Sequence, residues 1–236
     1  MATEAEPDIS QLRLPVTKDR LFRAAIAVAD AGGLDSLTMR RVADELDVEP
    51  MSLYYHVANK AAMLDGVADA VVEEVERAVA ELDPPIEQDP WKTALRRRIL
   101  TAREVMLRHR WAPTVFQGRE MMGPATMRYF DAVLGHLREG GFSPDLAHHS
   151  IHVLGSKTLG FTQELFEPEG DKEAADEAAL EVFQAMADIV PNLTWMAAEA
   201  EHNDPDSTIG WCDDQAEFEF SLDLILDGLE RLHDRS

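Results

Sequence analysis

The run from Thr38 to Lys60, TMRRVADELDVEPMSLYYHVANK, leaves this chain few ways to fold. Thr38 suits a helix N-cap, because its hydroxyl can accept from a free backbone N–H of the first turn. Val42, Ala43 and Leu46 then recur at helical spacing and give a short helix one apolar stripe. Asp47 falls where a tight inter-helix turn needs a left-handed residue, a position usually filled by Gly. Pro50 fits the first turn of a new helix, where its missing N–H has no partner to lose. That second helix, predicted over 50–57, turns Leu53 and Val57 inward at i, i+4. Met51, Ser52, Tyr54, Tyr55 and His56 are left for other work.

Two short helices joined by a tight turn, the second crowded with exposed hydroxyl and aromatic side chains, describe a helix-turn-helix. A helical hairpin inside an ordinary bundle is the plain alternative, but it gives Tyr54, Tyr55 and His56 in a row no role. The pattern from Leu37 to Lys60, L-T-M-R-R-V-A-x-x-L-x-V-x-x-x-S-L-Y-Y-H-V-x-N-K, closely resembles the DNA-binding segment of TetR-family transcriptional regulators. Asp47 departs from the family's usual turn Gly, and Pro50-Met51 stand where more polar residues are common. The resemblance implies that Thr38, Arg40, Tyr54, His56 and Lys60 contact phosphates, while Met51, Ser52 and Tyr55 face base edges. The chemistry agrees, since hydroxyls and cations bind phosphate oxygens. Met51 can touch a thymine methyl, and Ser52 can donate or accept.

A net charge of −23 looks wrong for a DNA-binding protein until it is divided along the chain. Residues 13–65 hold seven Lys/Arg and eight Asp/Glu, whereas residues 66–236 carry −19. An acidic body repels the duplex, so affinity must come from a few well-placed cations and hydrogen bonds. The same acidity counts against RNA wrapping and membrane-surface binding. An acidic soluble enzyme would explain the total charge but not the local motif. The N-terminal MATEAEPDIS has no apolar signal core, and no apolar run is long enough to cross a bilayer. A lone Cys212 fits a reducing compartment, so a cytoplasmic location is expected.

Around the motif, a helix from Thr17 carries Leu21, Phe22, Ala25, Ile26 and Ala29 on one face and stops at Gly32-Gly33. Asn59 can cap a further helix reaching about Leu82, where Asp83-Pro84-Pro85 and then Pro90 end it. This divides the chain into a DNA-binding unit, 15–66, and a body, 67–236, entered through the connecting helix. Helices are predicted near 91–109, 112–118, 124–140, 144–166, 173–199 and 214–233, with an exposed acidic loop at 201–213. No period-two strand, GxGxxG or Walker loop interrupts them. The fold class is all-α: a three-helix DNA-binding domain followed by a helical-bundle regulatory domain.

Two body helices carry extra apolar positions. Phe218, Leu222, Ile225, Leu229 and Leu232 alternate by four and three, the spacing of left-handed helix pairing. In 144–166, Ala147, Ile151, Leu154, Thr158, Phe161 and Leu165 form one seam. His152, Gly155, Leu159, Thr162 and Phe166 form a second beside it. Burial in a monomeric core and packing against a second subunit both satisfy that pattern. The segments GFS-x-x-x-A…GS-x-T-L-G-F (141–161) and EFEFSLDLILDGLE (217–230) resemble the C-terminal domain of tetracycline-repressor-like proteins. That resemblance implies a homodimer joined by a four-helix bundle of these helices, and a small-molecule effector.

Candidate ligand walls are His109, Trp111, Phe116, Met121, Met122, Phe161 and Trp195, with Gln117, His152 and Gln163 as polar points. Taken singly, each is as well explained as plain core. By spacing, Gln117 stands where the tetracycline repressors place a His that helps hold a magnesium-chelated drug. That departure argues against the same ligand, although Glu164 sits where a helper carboxylate would be. His148 and His152 share a helix face, with His149 adjacent, but two histidines do not complete a zinc shell. No metal site, cofactor or catalytic residue is assigned. The expected function is a ligand-responsive repressor that binds a palindromic DNA operator as a homodimer. An all-α metal-dependent hydrolase using His148 and His152 is the rival, and a regulator without a small ligand is a third reading.

Overall fold

The computed structural model describes residues 15–119, 121–160, 181–182, 184–199 and 214–235, and every regular element among them is helical. Phe161, Gln163, Glu164 and the loop 201–213 lie outside the described residues. Thr17 opens α1 (Lys18–Ser36) by accepting from the Arg20 N–H at 3.2 Å. Leu21, Ala24, Ala25, Val28 and Ala29 are buried along it, and Phe22 and Ile26 are half-buried. The stop predicted at Gly32-Gly33 is instead a kink. Gly33 adopts φ 70°, which glycine alone takes without strain, and a further turn continues to Ser36.

Next come α2 (Met39–Glu45), a 3-10 helix at Pro50–Tyr55, and α3 (Lys60–Ala80). Asn59 caps α3 as the sequence suggests, its Oδ1 accepting from the Ala62 N–H at 2.8 Å. Phe22 of α1 meets α3 at Gly66, where a Cβ would fall 2.0 Å from the ring carbon Cζ. Leu37, Val42, Ala43, Leu53, Val57, Met63, Val67 and Val71 complete the buried interior.

Compactness divides the chain differently from the 66/67 boundary read in the sequence. One unit comprises Met1–Arg77 together with Val105–Tyr129, and the other Ala78–Glu104 with Phe130–Ser236. The first therefore takes in the end of α4 (Trp91–Arg108), all of α5 (Ala112–Gln117) and the start of α6 (Pro124–Glu139). In it Ala112, Pro113 and Val115 are buried.

The second unit is a helical bundle. It contains the rest of α4 and α6, with α7 (Pro144–Gly160), α8 (Pro191–Glu199) and α9 (Asp214–His233). The chain's acidity is used here to bind α9 to α4. Arg96 lies 2.7 Å from both Glu219 and Asp223, and Lys92 2.7 Å from both Asp227 and Glu230. Phe142 closes one end, edge-on to Trp91 with centroids 4.7 Å apart and stacked on His233 at 4.6 Å. Two predictions need correction. The single helix over 173–199 is interrupted by a turn at 186–189, and Pro191 starts a new one because it cannot continue the old. On α9 the buried stripe is Phe218, Leu222, Leu226 and Leu229, while Ile225 is only half-buried and Leu232 is exposed. A helix of 3.6 residues per turn drifts off a strict alternation of four and three, and Leu226 takes the place expected for Ile225.

Candidate nucleic-acid interface

The helix-turn-helix is built from its caps inward. Thr38 Oγ1 accepts from the Arg41 N–H at 3.2 Å and starts α2. At the other end Val48 N–H donates to Ala43 C=O at 3.0 Å and Asp47 N–H to Asp44 C=O at 3.1 Å. That pair of bonds closes a helix whose next residue is left-handed, and Asp47 has φ 54°. The short polar side chain of Asp tolerates that conformation where bulkier residues do not. Pro50 leads the following segment, which is a 3-10 helix rather than the α-helix predicted over 50–57. Its bonds run Ser52 N–H to Glu49 C=O and His56 N–H to Leu53 C=O, both at 2.9 Å. The tighter winding still sends Leu53 and Val57 into the core, at 0 % and 6 % exposure.

Opposite them the segment presents its large side chains to solvent. Tyr55 is 89 % exposed, Met51 70 % and Tyr54 46 %, while Ser52 and His56 are half-buried. Thr38, Arg40 and Lys60 are exposed. Arg41, beside Arg40 on the same short helix, is also exposed. An aromatic and thioether surface therefore stands on the second element of the helix-turn-helix, with the exposed cations Arg40 and Lys60 on either side of it in sequence.

Of the residues expected around a ligand, His109 and Trp111 are buried in the first unit, with their polar atoms bound to carboxylates of α1 and α3. His109 Nδ1 lies 2.8 Å from Asp30 Oδ1 and its Nε2 3.2 Å from Glu74 Oε2, while Trp111 Nε1 donates to Asp30 Oδ1 at 2.7 Å. Burial pushes the Glu74 carboxyl up, but hydrogen bonds from Arg108 and His109, with their charges, hold it below its ordinary value. Phe116 is half-buried, and Gln117, Met121 and Met122 are exposed. In the second unit, His152 and Trp195 are exposed. The His148 and His152 rings stand 4.6 Å apart. Among the described residues no group of three or more His, Cys, Asp or Glu is placed to hold a metal ion, so the hydrolase reading has no site there.

Comparison with known proteins agrees with this architecture. Residues 21–67 match the model of the bacterial regulatory proteins of the tetR family, and residues 83–233 that of the tetracyclin repressor-like C-terminal domain. The chain is 32 % identical to the HTH-type transcriptional repressor DrrR1 of Streptomyces coeruleorubidus, over 92 % of its own length and 78 % of that protein's. It is 28 % identical to the class C tetracycline repressor protein of Escherichia coli, over 91 % of each. Among solved structures, apo ActR from Streptomyces coelicolor superposes with a TM-score of 0.75 at 29 % identity, covering 94 % of this chain and 98 % of that one. With both parts matched and a helix-turn-helix of this geometry within the first, the chain belongs to the TetR family of bacterial regulatory proteins.

Proposed function

We propose that the chain is a cytoplasmic repressor that binds a palindromic operator as a homodimer and is released by a small, largely apolar molecule. As a member of its family it is a ligand-responsive, DNA-binding transcriptional regulator. The finer reading rests above all on the exposed face of Met51, Tyr54 and Tyr55 on a capped helix-turn-helix. Related structures support the effector: ActR has been solved with actinorhodin and with (S)-DNPA, at 30 % and 28 % identity. Nothing in this reading calls for catalysis. Among the described residues no helix is long and apolar enough to cross a membrane.

The dimer rests on α7 and α9. Beyond its buried stripe, α9 leaves Phe220 and Leu224 exposed at i, i+4, at 59 % and 53 %, and the side of Gly228 open. α7 adds Val153 at 40 %. A helix apolar on both sides calls for a second packing partner, and a second copy supplies it. Effector contacts are proposed from His109, Trp111, Phe116, Gln117, His152, Phe161, Gln163 and Trp195. Because α3 runs unbroken from the DNA-binding segment toward the body, turning it would alter the separation of the two recognition segments. Both must fit successive grooves of one duplex, so a shift of a few ångströms, in order of magnitude, removes simultaneous contact and most of the affinity. Linkage then requires the operator to weaken effector binding by the same factor.

Selection from a random duplex library tests the reading. An inverted repeat is expected, with half-site centres about one helical turn or a little more apart. Lys60→Ala should weaken all sequences alike and reduce the salt slope by about one unit, whereas changes at Ser52 should alter sequence preference. Recovery of no palindrome, or an unchanged salt slope in Lys60→Ala, defeats these assignments.

A further inference from the structure

The stretch 105–129 lies well beyond the 66/67 boundary read in the sequence, yet it packs with α1 and α3 as part of the first unit. Its apolar residues Ala112, Pro113 and Val115 are buried there. Beside that packing stand polar contacts, and they are specific. His109, only 6 % exposed, sits between two carboxylates from different helices, Asp30 of α1 at 2.8 Å and Glu74 of α3 at 3.2 Å. Trp111 Nε1 donates to the same Asp30 oxygen at 2.7 Å, and Arg108 donates to the other Glu74 oxygen at 2.7 Å. Enclosing charged and polar groups in this way carries a desolvation cost that an apolar side chain would avoid, which makes the bridge weak as a device for stability alone.

We propose that His109 is a positioning residue for DNA binding. It ties the stretch 105–129 to α1 through Asp30 and to α3 through Glu74. Movement of this stretch then reaches the helix-turn-helix along α1 as well as along the covalent path of α3. α1 packs on α2, and α2 on the 3-10 recognition segment, so the second path ends at the same surface. The stretch is continuous with α4 and α6. This inference rests on the proposed operator-binding dimer. It adds that the angle of each recognition segment is held by side-chain hydrogen bonds to α1.

The test compares two duplexes, the palindrome selected by the wild-type chain and a single half-site cut from it. The proteins are the full-length wild type, His109→Gln, Asp30→Asn and the double variant. A positioning role affects simultaneous engagement of two half-sites and spares the individual contact. His109→Gln and Asp30→Asn should each lose about tenfold or more on the palindrome but less than about threefold on the half-site. The double variant should bind about as well as the weaker single, because both changes break one bridge. Equal losses on the two duplexes, no loss on either, or independent addition in the double variant would overturn the proposal. Should His109→Gln fail to fold, the two-duplex comparison on Asp30→Asn decides it, since Asp30 is a third exposed. Failure of the wild-type chain to select any palindrome overturns the operator reading itself and is told apart by occurring without any substitution.

Discussion

Tyr55 and His136 show how differently two residues answer to their surroundings. Tyr55 is 89 % exposed and holds no part of the core. Its replacement by Ala should change unfolding free energy by no more than about 0.5 kcal/mol, as for other surface positions. Operator affinity should nevertheless fall about tenfold or more, the loss of roughly 1.4 kcal/mol of contact. Denaturant unfolding and a binding titration on the same preparation separate the two effects. His136 lies within the second unit, where burial, and then the Arg98 guanidinium, push its imidazole below its ordinary value of 6.5, against the opposing pull of Glu139, Glu87 and Asp89. A group lowered in the fold contributes stability above its unfolded value and loses it as pH falls through the folded one. Thermal midpoints should therefore drop on acidification below pH 6.5, and His136→Gln should flatten part of that drop. A variant with the wild-type acid slope would assign the loss to other groups. The role of Asp47 was legible beforehand because a tight turn has one backbone requirement. The partners of His109 were not, since Asp30 and Glu74 lie 79 and 35 residues away.

At the scale of elements, periodicity located most helices because buried positions recur on one face, and caps such as Thr17, Thr38 and Asn59 act within a single turn. It failed where the deciding contact is remote or the period drifts, as at the kink of Gly33 and at Leu226. Gly66 belongs to the same class. Nothing local marks it, yet the Phe22 ring lies where its Cβ would be. Gly66→Ala gains about 1 kcal/mol of helix propensity. Overpacking against a rigid ring costs typically about 1–3 kcal/mol, so the net effect should be destabilising. Phe22→Leu in the same chain should recover part of the loss. Urea unfolding of the single and double variants measures both, and a Gly66→Ala protein more stable than wild type would show that α1 and α3 separate easily.

For the whole molecule, the second apolar face of α9 is the feature with the largest consequence. Leu224→Glu points a charge into the proposed subunit interface while leaving the buried stripe of Phe218, Leu222, Leu226 and Leu229 intact. Light scattering at about micromolar concentration should then report a monomer with a helical spectrum, and palindrome affinity should fall toward that of a single half-site. A Leu224→Glu protein that stays dimeric would place the interface elsewhere. From sequence alone came the all-α class, the helix-turn-helix with its left-handed Asp47, and the family. These depend on rules acting over one or two turns: capping, backbone conformation and the spacing of apolar residues. Only the tertiary structure decided that 105–129 joins the N-terminal unit and that His109 and Trp111 bind Asp30. It also decided which residues of α9 face inward. Such contacts are set by how distant helices pack, and no short-range pattern of residues encodes that distance.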